Sequence, residues 1–266
     1  MGLLNRFWED LRQWDKPSQL ALLVAALMGL LCAGLVTFGP PEWRNPAAIA
    51  LVGVIVVAQV IVMWGNRHLI APITQAQRLM LVGDLEAARA VLLSYLDERQ
   101  AQGRAPSVRA LALLGNVQRQ LGALEESERL LRDALRRQPT SHLAAYGLGR
   151  TLLALGEYQE AESFIKKSLA LGAPPVVQFD LGHALIRQGR NAEAIPLLRA
   201  TQTAPEAHRR LLAAYWLYRL GNGPAPSAEL VREGSAFWHA ETQRCAHTPY
   251  GRALLEDIHG IQTFAE

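Results

Sequence analysis

Five glycines constrain this chain before anything else does. Gly83, Gly122, Gly156, Gly189 and Gly221 stand 39, 34, 33 and 32 residues apart. Each closes a stretch whose apolar residues recur at helical spacing, and the first four open another. Seven positions before them lie Ala76, Gly115, Gly149, Gly182 and Ala214, all small. Five positions after the first four lie Ala88, Ser127, Ala161 and Ala194, small again. The segment "LALGEYQEAESFIKKSLALG", residues 153–172, shows the unit: a helix end, a glycine turn and a second short helix. Helices of that length are stable mainly through burial of an amphipathic face. One such pair encloses no core, so copies of the pair must supply it. The pattern predicts an all-α chain whose helical pairs stack into a solenoid.

Each position in the unit has a physical reason. A turn glycine accepts the left-handed conformation that ends a helix. Small residues on both helices let the pair cross closely. Glu157 and Glu160 place negative charge at the amino end of the second helix, where the macrodipole favours it. With a period near 34 residues, this signature resembles the tetratricopeptide repeat family, in a membrane-anchored bacterial form. The resemblance covers about residues 71–223, with four fair repeats and a fifth whose first helix alone is recognisable. Ser127 departs from the usual alanine, and "RQAQGRAPS" adds five residues between the first two repeats. Residues 224–266 read as capping helices, with Phe237, Trp238, Leu254 and Ile258 covering the last repeat.

The first seventy residues belong to another solvent. "LALLVAALMGLLCAGLVTF" (20–38) and "AAIALVGVIVVAQVIVMW" (47–64) carry no charge, and each is long enough to cross a hydrocarbon core. The breaker-rich connector "GPPEWRNP" implies a transmembrane hairpin over residues 19–66. Leu3, Leu4, Phe7, Trp8, Leu11 and Trp14 recur at helical spacing, so residues 1–18 read as an interfacial amphipathic helix. Five Lys or Arg residues flank the two spans and one, Arg44, lies between them. The bias predicts an inner-membrane protein with both termini and the repeats in the cytoplasm. Ala21, Ala25, Gly29 and Ala33 form a strip of small residues that lets another helix approach. Its expected partner is the second span through Ala50, Gly53 or Ala58, with a homo-oligomer or a separate membrane subunit as the alternative. Gln59 is read as packing glue.

No phosphate loop, nucleophile elbow or metal-ligand spacing is present, so the chain reads as a non-enzyme without cofactor or metal. His239 and His247 flank Cys245 at a spacing that matches no common metal site. A formal charge of +3 without a basic run argues against nucleic acid. A solenoid instead offers a concave groove lined by its first helices. Counting from each small residue of those helices gives Asn116, Arg119 and Gln120, then Tyr146 and Arg150, then Phe179, His183 and Arg187, then Tyr215, Tyr218 and Arg219. Arginine with aromatic rings is the composition of interface anchors. It suits an acidic or carboxylate-bearing protein segment. Family members that clamp a terminal carboxylate use a lysine and asparagine set of which only Asn116 corresponds here. The resemblance therefore implies an adaptor, anchored in lipid, that gathers a protein partner. The alternative is a structural or assembly subunit of a membrane complex, contacted through the hairpin.

Overall fold

The computed structural model describes residues 16–65 and 72–264, and the interfacial helix expected before the first span lies outside them. The described residues contain thirteen α-helices and no strand. They divide into two compact units, separated after Ala71.

The first unit is an antiparallel hairpin of α1 (Lys16–Phe38) and α2 (Pro41–Gly65). Both helices are long and apolar enough to cross a membrane. The second begins six residues before the expected Ala47, so the connector shrinks to Gly39 and Pro40. Proline is tolerated in a first turn because N–H groups there have no intrahelical acceptor. Pro41 exploits this, and Pro46 sits one turn further in, inside the helix. Ala25 is buried and Ala21, Gly29 and Ala33 are half-buried against the second helix. A Cβ placed on Gly29 would meet Val54 Cγ1 at 3.7 Å. On α2 the inward stripe is Ala47, Leu51, Val54 and Ala58. Ala50 and Gly53 point outward, with nothing within 4 Å of a Cβ at Gly53, and Gln59 is also exposed. Helical phase explains the difference: Gly53 and Gln59 fall between the turns that carry the stripe.

The second unit is the repeat array. Its pairs are α3 (Pro72–Leu81) with α4 (Leu85–Ala101), α5 (Val108–Gln120) with α6 (Leu124–Arg137), and α7 (His142–Leu155) with α8 (Tyr158–Ala170). A fourth pair, α9 (Gln178–Arg187) with α10 (Asn191–Thr201), follows a 3₁₀ turn at Pro175–Val177, and α11 (Ala207–Arg219) opens the fifth. All five turn glycines have positive φ, from 65° at Gly221 to 93° at Gly156. The small residues before them are where helices touch. A Cβ on Gly115 would lie 2.6 Å from Leu131 Cγ, and one on Gly149 2.6 Å from Ile165 Cγ1. Ser127 is buried and its hydroxyl pairs with Thr151 Oγ1 at 2.8 Å, so the departure from alanine joins the second repeat to the third. The five extra residues between repeats one and two lengthen α4, and Arg99 Nε pins the following loop by donating to the Ala105 carbonyl at 2.9 Å.

Two further helices complete the unit, α12 (Ala228–Arg244) and α13 (Pro249–Gln262). Ser227 and Thr248 cap them by accepting from Leu230 N and Gly251 N. Their path differs from a simple end cap. They turn back across the inner face of the array.

Candidate functional site: an occupied concave face

The path of α12 can be followed from its contacts. Gly234 has no side chain to hold it away from Leu211 and Ala207, so α12 lies close along α11. Trp238 Nε1 donates to the His208 carbonyl at 2.7 Å, and its ring sits 6.1 Å from Phe179 in the fourth repeat. Further on, Glu241 lines one small cavity together with Arg119 of repeat two and Arg150 of repeat three. At the helix end, Arg244 Cγ comes within 3.4 Å of where Gly122 would carry a Cβ. The helix therefore runs from the fifth repeat to the second. Helix α13 returns. Pro249 abuts Gly156, the Tyr250 ring is 5.3 Å from His183, and Gly260 packs against Tyr215 of the fifth repeat.

Of the expected cap residues, Trp238 reaches past the last repeat to Phe179 and His183 of the fourth. Phe237 stacks on His208 at 3.8 Å, while Trp238, Leu254 and Ile258 are buried. The inner face is concave and apolar enough that leaving it open would expose Phe179 and Trp216 to water. Folding the tail into it removes that area at about 25 cal/mol per Å².

Of the residues expected on the groove, Arg119, Phe179, His183 and Tyr215 are buried. Asn116, Gln120, Tyr146, Arg150 and Arg187 are half-buried. Tyr218 and Arg219 stay exposed, and Tyr218 meets Phe264 edge to face at 5.2 Å. Asn116 donates to the Ala112 carbonyl of its own helix at 2.9 Å.

The groove's charges are organised by acids that the groove pattern did not include. Asp257 on α13 accepts from Arg187 Nη2 at 2.6 Å and from Trp216 Nε1 at 3.1 Å. Asp180, on the buried face of α9, accepts from Tyr146 Oη at 2.6 Å. It also lies 3.5 Å from Arg150 Nε and 3.8 Å from Arg209 Nη1. Glu241 is ion-paired with Arg244 at 2.5 Å. A lone acid in an otherwise apolar helix, as in "QFDLGHAL", was the available signal for Asp180. Asp257 and Glu241 gave none, because their place depends on the fold of the tail.

Burial tunes these groups. Burial and the nearby Arg150 charge lower the Arg119 guanidinium to about 10. Burial, with Arg187 and Arg150 beside it, holds His183 well below the usual imidazole range. Its Nε2 accepts from Arg187 Nε at 3.3 Å, as a neutral ring can. Burial also raises the Asp257 carboxyl, against the pull of Arg187 and the Trp216 hydrogen bond. Cys245, between His239 and His247, is buried and its thiol is pushed up to about 12. No three metal-ligating side chains converge among the described residues.

This stacking of paired helices has a counterpart in known families. A tetratricopeptide-repeat model matches residues 73–141 and again 113–174, and a second such model matches 175–200. Residues 73–200 are tetratricopeptide repeats. Several solved structures are similar to parts of the chain. A thermophilic TPR protein of Thermus thermophilus is 16% identical, with 72% of this chain and 97% of that one covered, at a TM-score of 0.50. MamA of MSR-1 is 23% identical over 70% of this chain and 92% of its own, at 0.44. A TPR protein from Parabacteroides merdae ATCC 43184 is 15% identical over 81% and 96%, at 0.46. At 16% identity, the likeness to the Thermus thermophilus protein is one of fold alone. No curated protein matches the chain with significant similarity. TPR arrays are generally scaffolds for protein–protein interaction, and this array has the fold of one.

Proposed function

We propose that this chain is a membrane-tethered TPR adaptor that gathers a protein partner through its concave face. The observation that carries the reading is the chemistry of that face: Arg119, Arg150 and Arg187 stand among Phe179, Trp216 and Tyr215, and the helix pair lying on them sets the Asp257 carboxylate on Arg187. A partner segment with carboxylates on a helical face suits the same floor, because guanidinium forks hold carboxylates in a fixed geometry. The apolar hairpin supplies the tether to lipid. The excess of Lys and Arg outside the connector favours a bacterial inner-membrane protein with its repeats and both termini in the cytoplasm.

Affinity purification in mild detergent tests this reading, comparing the intact chain with an Arg150→Glu, Arg187→Glu variant. Loss of a co-purifying protein from the variant is expected, with the helical circular-dichroism signal retained. Retention of every co-purifying protein would remove the groove from consideration.

A second reading, a subunit of a larger membrane complex or a homo-oligomer, draws support from the outward face of α2. Gly53 leaves open space there, the kind of surface on which another membrane helix packs. Gly29 does not test it, because it faces Val54 within the hairpin. Gly53→Leu does: loss of a higher-mass band on native gels favours the subunit, and an unchanged band favours the adaptor.

A further inference from the structure

The helix pair on the concave face fits it incompletely, and the misfit lies at one residue. Arg119 is 5% exposed, its Nε has no hydrogen-bond partner, and no carboxylate is ion-paired with it among the described residues. Beside it Gln118 Oε1 is also buried without a partner. The cavity that Arg119 lines is about 10 Å³, room for at most one water. Three arginines, Arg119, Arg150 and Arg209, line it against two acids, Asp180 and Glu241. Both acids are already engaged: Asp180 by Tyr146, Arg150 and Arg209, Glu241 by Arg244. A buried guanidinium without its own carboxylate is costly. The tail satisfies Arg187 and leaves Arg119 unmet.

We propose that the α12–α13 hairpin is an intramolecular plug in a groove built for a carboxylate-bearing helical segment of a partner protein, which displaces the plug and pairs with Arg119. This rests on the adaptor reading and adds its regulation. The exchange follows from the contacts. The plug's carboxylate on Arg187 is replaced by one from the partner, the apolar floor is covered again, and Arg119 gains the acid it lacks. The link to α11 is the breaker-rich "GNGPAPS" of residues 221–227, so the pair can swing away without unravelling the fifth repeat.

The test uses the full chain in detergent, with a labelled synthetic peptide of residues 228–262 as the probe. Native-state hydrogen exchange is expected to show α12 and α13 opening together, at least ten-fold more readily than the slowest amides of α5–α8. Asp257→Asn, or Glu241→Gln should that variant misfold, is expected to raise the affinity of the peptide at least ten-fold. Adding Arg119→Gln is expected to reduce that gain for a peptide redesigned to carry an acid opposite Arg119. Opening of α12–α13 only with global unfolding, or exclusion of the peptide from both loosened variants, would overturn the plug. Those results would leave the adaptor reading standing, because the Arg150 and Arg187 charge reversal tests that separately.

Discussion

Asp257 and Arg187 are seventy residues apart in sequence and 2.6 Å apart in space, and neither side chain is more than 10% exposed. One belongs to the last helix of the chain and the other to the first helix of the fourth repeat. Through that contact the C-terminal helices lie on the face that the first helices of the repeats present.

Close approach within the repeats gives a graded prediction. A Cβ on Gly149 would lie 2.6 Å from Ile165 Cγ1, with Ile165 N at 3.1 Å and Ala161 O at 3.2 Å behind it. Backbone cannot yield as a side-chain tip can, so Gly149→Ala should cost about 1–3 kcal/mol. At Gly182 the nearest atom is Leu198 Cδ2 at 3.3 Å, the flexible end of a side chain. Gly182→Ala should cost clearly less. Urea unfolding of the two variants ranks them.

Ser127 offers the opposite case. Its hydroxyl pairs with Thr151, but Thr151 also donates to the Gly147 carbonyl at 3.0 Å. Removing the serine oxygen leaves Thr151 bonded, so Ser127→Ala should change stability by no more than about 1 kcal/mol. Thr151→Val strands the serine hydroxyl and should cost more. Thermal melts of both variants check the order.

Acid should loosen the concave face. His183 is buried neutral, facing Arg187 and Arg150 and surrounded by Phe179, Trp216, Trp238 and Tyr250. Burial, with Arg209 and Arg150 adding to it, brings the half-buried His208 down to about 4. Both folded values lie below the unfolded imidazole near 6.5, so the unfolded state takes up protons first as pH falls. Stability is complete above about pH 6.5 and declines below it, by about 1.4 kcal/mol per pH unit for a buried neutral histidine. Denaturant midpoints at pH 7.5 and 5.5 should differ, and His183→Gln should shrink the difference. An unchanged difference would mean that His183 takes up its proton in the folded state.

Much of this architecture was legible because a repeat writes its physics several times. Five turn glycines and their small neighbours fixed the helix pairs, and charge-free runs fixed the hairpin. The start of α2 was misplaced because Pro41 and Pro46 look like breakers, although the first turn accommodates Pro41 and the helix continues through Pro46. Of the residues expected on the inward face of α2, Ala58 lies there while Ala50 and Gly53 point outward, because smallness was weighed without helical phase. The concave residues could be chosen by counting along the first helices, yet what covers them could not. That depends on Trp238, Glu241 and Asp257 crossing four repeats, a long-range arrangement that no local period encodes.

Occupation of the groove by the tail is tested most directly by a double-mutant cycle on Arg187→Gln and Asp257→Asn, read by chemical denaturation of the full chain. If the hairpin lies in the groove, each single change costs about 3 kcal/mol or more. The double variant should then fall short of their sum by about 2 kcal/mol. Additivity within about 0.5 kcal/mol would place Asp257 away from Arg187 and contradict the occupied concave face.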